Sequence, residues 1–149
     1  MLKIIGGVIL GYLAMALVVF ISLTVAYLSM GADRAFKPGV YEVTMLWLTV
    51  MFVVSIVAAI VGGKVCALIA KNVKATFALA GLVLILGLLS AIPSFTSAGS
   101  ESKARTGDVP NTEAMMSAKQ PAWVALLMPV IGVVGVMLGG RGKSLPATA

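Results

Sequence analysis

Four stretches of the chain carry no charged residue: Ile4 to Leu28, Thr44 to Gly63, Ala75 to Ile92 and Ala122 to Leu138. Each meets or approaches the ~20 residues with which a helix crosses ~30 Å of hydrocarbon. The first is longer than that and should tilt or protrude. All four are rich in Leu, Val, Ile and Ala without strict alternation, which favours helices over barrel strands. Lys3 precedes the first run, as in a signal peptide, but a signal core spans only ~7–15 residues, so the run is read as a retained span. The pattern predicts an all-α membrane protein, a bundle of four transmembrane helices at about 4–28, 44–63, 75–92 and 122–138.

The ends of the runs carry their own signals. Pro93 is expected to close the third run, because proline cannot continue a helix. Lys37-Pro38-Gly39-Val40 fits a type II turn, which makes the first connection a compact hairpin loop. The second long connection, 94–121, opens with a Ser-, Gly- and Thr-rich stretch to Gly107 that reads as a flexible loop. Within it, Thr112 to Lys119 reads as a short helix capped by Thr112. Pro121 falls where a proline is tolerated, at the start of the fourth span. Pro129 lies inside that span and should kink it. A basic tail, 139–149, follows.

Composition agrees with the pattern. Only 11% of the 149 residues are charged, where a soluble domain uses about a quarter. Most of the surface must therefore face something other than water, and the length fits one domain, 1–149.

Charge sets an orientation. If the N-terminus is cytoplasmic, the inside segments hold Lys3, Lys64, Lys71, Lys74, Arg141 and Lys143 and no acid. The outside loops balance Arg34, Lys37, Lys103, Arg105 and Lys119 against Asp33, Glu42, Glu101, Asp108 and Glu113. Lysine and arginine favour the cytoplasmic side, so both termini are expected there, in a bacterial inner membrane. The inside cations can also meet anionic headgroups. Tyr27, Phe36, Tyr41, Trp47, Phe95 and Trp123 all fall on the other side, as an interfacial aromatic belt would.

Helices in lipid associate where small residues let backbones approach. Gly7 with Gly11, Ala58 with Gly62, Ala59 with Gly63, Gly87 with Ala91, and Gly135 with Gly139 offer such faces. They are expected to pack within the monomer. Ser22, Thr24, Thr49, Ser55 and Ser90 can add hydrogen bonds.

The chemistry that would mark an enzyme or a pump is missing from the sequence. Histidine is absent and Cys66 is the single cysteine, so no disulfide and no thiol-pair metal site can form within the chain. The serines in the spans have no histidine or lysine at their depth to activate them. In size and span number the chain resembles the small multidrug resistance transporters. That family depends on a carboxylate in its first span, and here the four runs contain no Asp, Glu, Lys or Arg. "GGRGKS" at 139–144 imitates a phosphate loop, but the pattern needs a glycine where Met137 stands, as well as a preceding strand. It reads instead as a helix end closed by Gly139 and Gly140 and followed by basic residues.

No cofactor, metal, nucleotide or nucleic acid is expected. Two methionines in the outer loop would not complete a copper site. Met115 and Met116, beside Trp123, form a candidate docking surface, since methionine suits adaptable contacts. The expected partners are the bilayer and another membrane protein or a second copy. The expected function is that of a non-catalytic accessory or scaffolding component. The alternative is a small transporter or channel for a neutral or lipid-like substrate, which needs no buried charge.

Overall fold

The structure is a computed structural model that describes residues 1–96 and 110–141. Six helices occur among them: α1 (Leu2–Met30), α2 (Ala32–Ala35), α3 (Met45–Ala70), α4 (Val73–Thr96), α5 (Asn111–Ser117) and α6 (Ala122–Gly140). The described residues form no strand, only two isolated bridge pairs. Four helices, α1, α3, α4 and α6, are long and apolar enough to cross a membrane.

The helices outrun the apolar runs, most clearly at the C-terminal ends of α3, α4 and α6. α3 does not stop at Gly63 but carries Lys64 and continues to Ala70. No proline or glycine interrupts Lys64 to Ala70, and lysine is itself a good helix former. The helix ends at Lys71, whose left-handed backbone (φ 48°) turns its N–H onto the Ala67 carbonyl at 2.9 Å. α4 likewise passes through Pro93 and reaches Thr96. Proline there removes its own N–H bond and crowds the carbonyl four residues back, yet Ser94 to Thr96 continue the helix for a last turn. α6 is continuous through Pro129 and includes Gly139 and Gly140, with Arg141 rather than a glycine as its C-cap.

The helices pack in the spatial order α1, α3, α6, α4, so that α6 sits between two helices adjacent in sequence. The basal end of the bundle holds Leu2, the two-residue α3–α4 turn and Arg141. The first connection and α5 lie at the opposite, distal end. The core has two parts. A basal cluster gathers Ala59, Cys66, Ala70, Ala75, Leu79, Ala80 and Val136. A distal cluster gathers Tyr27, Phe36, Tyr41, Val43, Trp47, Leu48, Ala114 and Val124 with Ala32 and Ala35.

The distal cluster exists because the first connection folds on itself. The Pro38–Gly39 turn closes with the Val40 N–H on the Lys37 carbonyl at 3.3 Å, and Gly39 supplies the positive φ of 74° that a type II turn requires. Around it the Lys37 N–H donates to the Glu42 carbonyl at 2.8 Å. Thr44 caps α3: its Oγ1 accepts from the Trp47 N–H at 3.2 Å and donates to the Arg34 carbonyl at 2.6 Å.

Candidate functional site

Three helix seams account for most of the glycines. Between α1 and α3, a Cβ built on Gly7 would stand 2.8 Å from Ala70 Cβ, and one on Gly11 would stand 2.8 Å from the Gly62 carbonyl oxygen. Between α3 and α6 the approach is closer. A Cβ on Gly135 would lie 2.5 Å from Ala59 Cβ, one on Gly63 would strike the Val136 carbonyl, and one on Gly139 would strike the Ile60 carbonyl. Between α4 and α6, Pro129 Cγ would lie 2.6 Å from a Cβ on Gly87. Ala58 and Ala91 are buried as well. The fourth edge of the bundle, α1 against α4, is the loosest of the four. At its basal end Leu79 would stand 3.0 Å from a Cβ on Gly11.

Two glycines of these seams do not appear among the small-residue pairs of the sequence. A Cβ on Gly132 would meet Val83 at 2.7 Å, and one on Gly140 would strike Thr76. Gly132 precedes Gly135 by three residues, a spacing that makes them neighbours on the helix surface, one toward α4 and the other toward α3. Gly140 was masked by its likeness to a helix stop. Thr76 is itself 6% exposed, and its hydroxyl has no partner among the described residues.

At the distal end a polar strap ties α5 and its flanks to the cap. Tyr41 donates its hydroxyl hydrogen to Glu113 Oε1 at 2.7 Å, and Asn111 Nδ2 donates to Thr24 Oγ1 at 3.3 Å. The Lys119 N–H donates to the Tyr41 carbonyl at 2.8 Å, while the Val43 N–H donates to the Lys119 carbonyl at 3.2 Å. α5 begins one residue before Thr112, with Pro110 as its N-cap and no side-chain cap bond. Thr112 therefore lies in the first turn rather than at the cap.

The distal aromatics divide by role. Tyr27, Phe36, Tyr41 and Trp47 are buried rather than arrayed as a belt. They pack edge to face, with centroids 6.4 Å apart for Tyr27–Phe36, 6.1 Å for Tyr27–Trp47 and 5.6 Å for Phe36–Tyr41. Folding of the first connection brings them together, and edge-to-face geometry suits the ring quadrupoles. Trp123 stays 52% exposed and stacks on Phe52 at 6.3 Å. On α5, Met116 is 89% exposed, and Ala118 just past it packs against the distal cluster. The Met115 side chain lies outside the described residues.

Charge is distributed along the bundle axis. At the basal end Lys3, Lys64, Lys71, Lys74 and Arg141 are all exposed. The described acids, Asp33, Glu42 and Glu113, all stand at the distal end. There Glu42 pairs with Lys37 at 2.8 Å. No described charged side chain is buried, and no cluster of metal-ligating side chains occurs among the described residues.

Compared with known proteins, the chain matches no family model, no curated sequence and no solved structure.

Proposed function

We propose that the chain is an integral protein of a bacterial inner membrane. It spans four times with both termini in the cytoplasm and acts without catalysis, as an accessory or scaffolding component. The observation that carries this reading is the contrast between the seams and the ends. Small and apolar residues dominate the faces between the helices, and no described charged side chain is buried there. An ion path or proton relay places ionisable groups in that interior. Scaffolding needs only a rigid bundle and an accessible patch. The exposed Met116 and Trp123 supply the patch at the distal end.

The orientation is tested with single cysteines. In a Cys66→Ala background, Ser100→Cys should react with a membrane-impermeant thiol reagent in intact cells, and Ser144→Cys should not. The reverse pattern overturns the topology.

The scaffold is tested by purification in mild detergent. A stoichiometric protein partner should accompany the parent chain and be lost with Met115→Ser/Met116→Ser, while elution and thermal midpoint stay unchanged. A lowered midpoint with the partner retained would make α5 a structural lid. Solute uptake by liposomes holding the pure protein would favour a transporter instead.

A further inference from the structure

Helix continuity carries Lys64 past the end of its apolar run and into α3. It stands on α3 with six further helical residues beyond it, and it is exposed. The 26 residues of α3 measure about 39 Å at 1.5 Å per residue, some 9 Å more than a ~30 Å hydrocarbon layer. Counting from Met45, hydrocarbon is used up at about Gly63. Lys64 then falls at the edge of the headgroup layer, and Lys71 and Lys74 fall near its aqueous side.

Its position around the helix matters as much as its depth. Residues 53, 57, 64 and 68 share one face of α3 by helical spacing. Val53 is 55% exposed, Val57 is 50% and Leu68 is 65%. Exposed apolar residues thus lie on both sides of Lys64 along this face of α3, Val53 and Val57 distal of it and Leu68 one turn basal. Arg141 supplies a second cation at the basal end, at the C-cap of the neighbouring helix α6. Gly139 abuts Ile60; Lys64 lies one turn basal of Ile60 and Arg141 two residues basal of Gly139. The two cations therefore sit within about 3 Å of the same height on adjoining helices.

We propose that this flank of α3 and α6 is a binding site for an anionic phospholipid. One acyl chain lies along Val53 and Val57, and the headgroup phosphate sits between Lys64 and Arg141. A free phosphate would match the charges and leave Val53 and Val57 bare. A neutral lipid would cover Val53 and Val57 and leave the charges unmatched. A phospholipid with net negative charge satisfies both. The proposal rests on the reading of α3 as membrane-spanning, but not on which side its basal end faces.

The test uses the full chain in nanodiscs of phosphatidylcholine, with and without phosphatidylglycerol. The anionic lipid should raise the thermal midpoint by roughly 4–8 °C, given about 1 kcal/mol for each of the two headgroup cations and the usual scaling of midpoint with stability. Lys64→Gln and Arg141→Gln should each lose about half of the shift. Lys64→Arg should keep it, and so should Lys3→Gln on α1. Inorganic phosphate added to phosphatidylcholine discs should do nothing.

A full shift in both glutamine variants, or a shift reproduced by inorganic phosphate, overturns the site. If Lys64→Gln does not fold, Arg141→Gln alone decides. Nanodiscs expose both leaflets, so a wrong orientation would leave these results unchanged. Failure to enter nanodiscs at all would instead overturn the membrane reading.

Discussion

Gly139→Leu is expected to lower the stability of the bundle by about 3 kcal/mol or more, the upper end of the cost of overpacking. The first carbon of any side chain there would strike the Ile60 carbonyl, and backbone cannot swing aside as a flexible side chain can. Gly63→Leu should match it from the other helix, because it would strike the Val136 carbonyl. Gly6 and Gly81 are the controls, since a Cβ on either meets nothing within 4 Å. Alanine at those two positions should change stability by less than ~1 kcal/mol, upward if helix propensity decides. Thermal unfolding in detergent reads all four variants. A Gly139→Leu protein as stable as the parent would mean that α3 and α6 do not meet backbone to backbone.

Trp47→Ala should cost about 3–5 kcal/mol, as truncation of a buried aromatic does. Trp47 is buried against Tyr27 in the cluster that anchors the first connection to α1 and α3. Its loss should also open that connection, so limited proteolysis between Gly31 and Thr44 should accelerate along with the fall in midpoint. Trp123→Ala is the comparison. Half exposed and stacked on Phe52, it should cost roughly 1 kcal/mol, the scale of one aromatic pair. Equal losses at the two tryptophans would show that the distal cluster is not a core.

The four long helices were legible in the sequence because apolar runs report composition directly, without needing partners. Their ends were less so. Lys64 stops an apolar run without stopping a helix, since a charge changes hydropathy and leaves the backbone untouched. Pro93 reads as a stop, yet α4 continues to Thr96. Small-residue spacing marked which faces could approach, but not which helix each would meet. That Gly11 answers Gly62 depends on α1 lying against α3, and that Gly139 answers Ile60 depends on α6 lying between α3 and α4. The distal cap was the least legible part. Phe36, Tyr41 and Trp47 read equally well as belt residues, and only the closed turn at Pro38–Gly39 carries them into a core. Met116 was visible as a candidate contact because its exposure needs no long-range partner.

The insertion of α6 between α3 and α4 constrains how the molecule can be made. Lys71 and Asn72 alone join α3 to α4, so these two helices leave the ribosome as a hairpin well before α6 is synthesised. Two helices so tightly joined would ordinarily zip together along their length. Here that pairing would be a trap, because the finished bundle needs them splayed around a third. The close approaches of α3 and α4 are made to α6 instead, at Gly63 and Gly87. Their grooves stay vacant until the last helix arrives. A chain cut after α4 should therefore pack loosely and be cleaved by proteases faster than the parent, however apolar its three long helices.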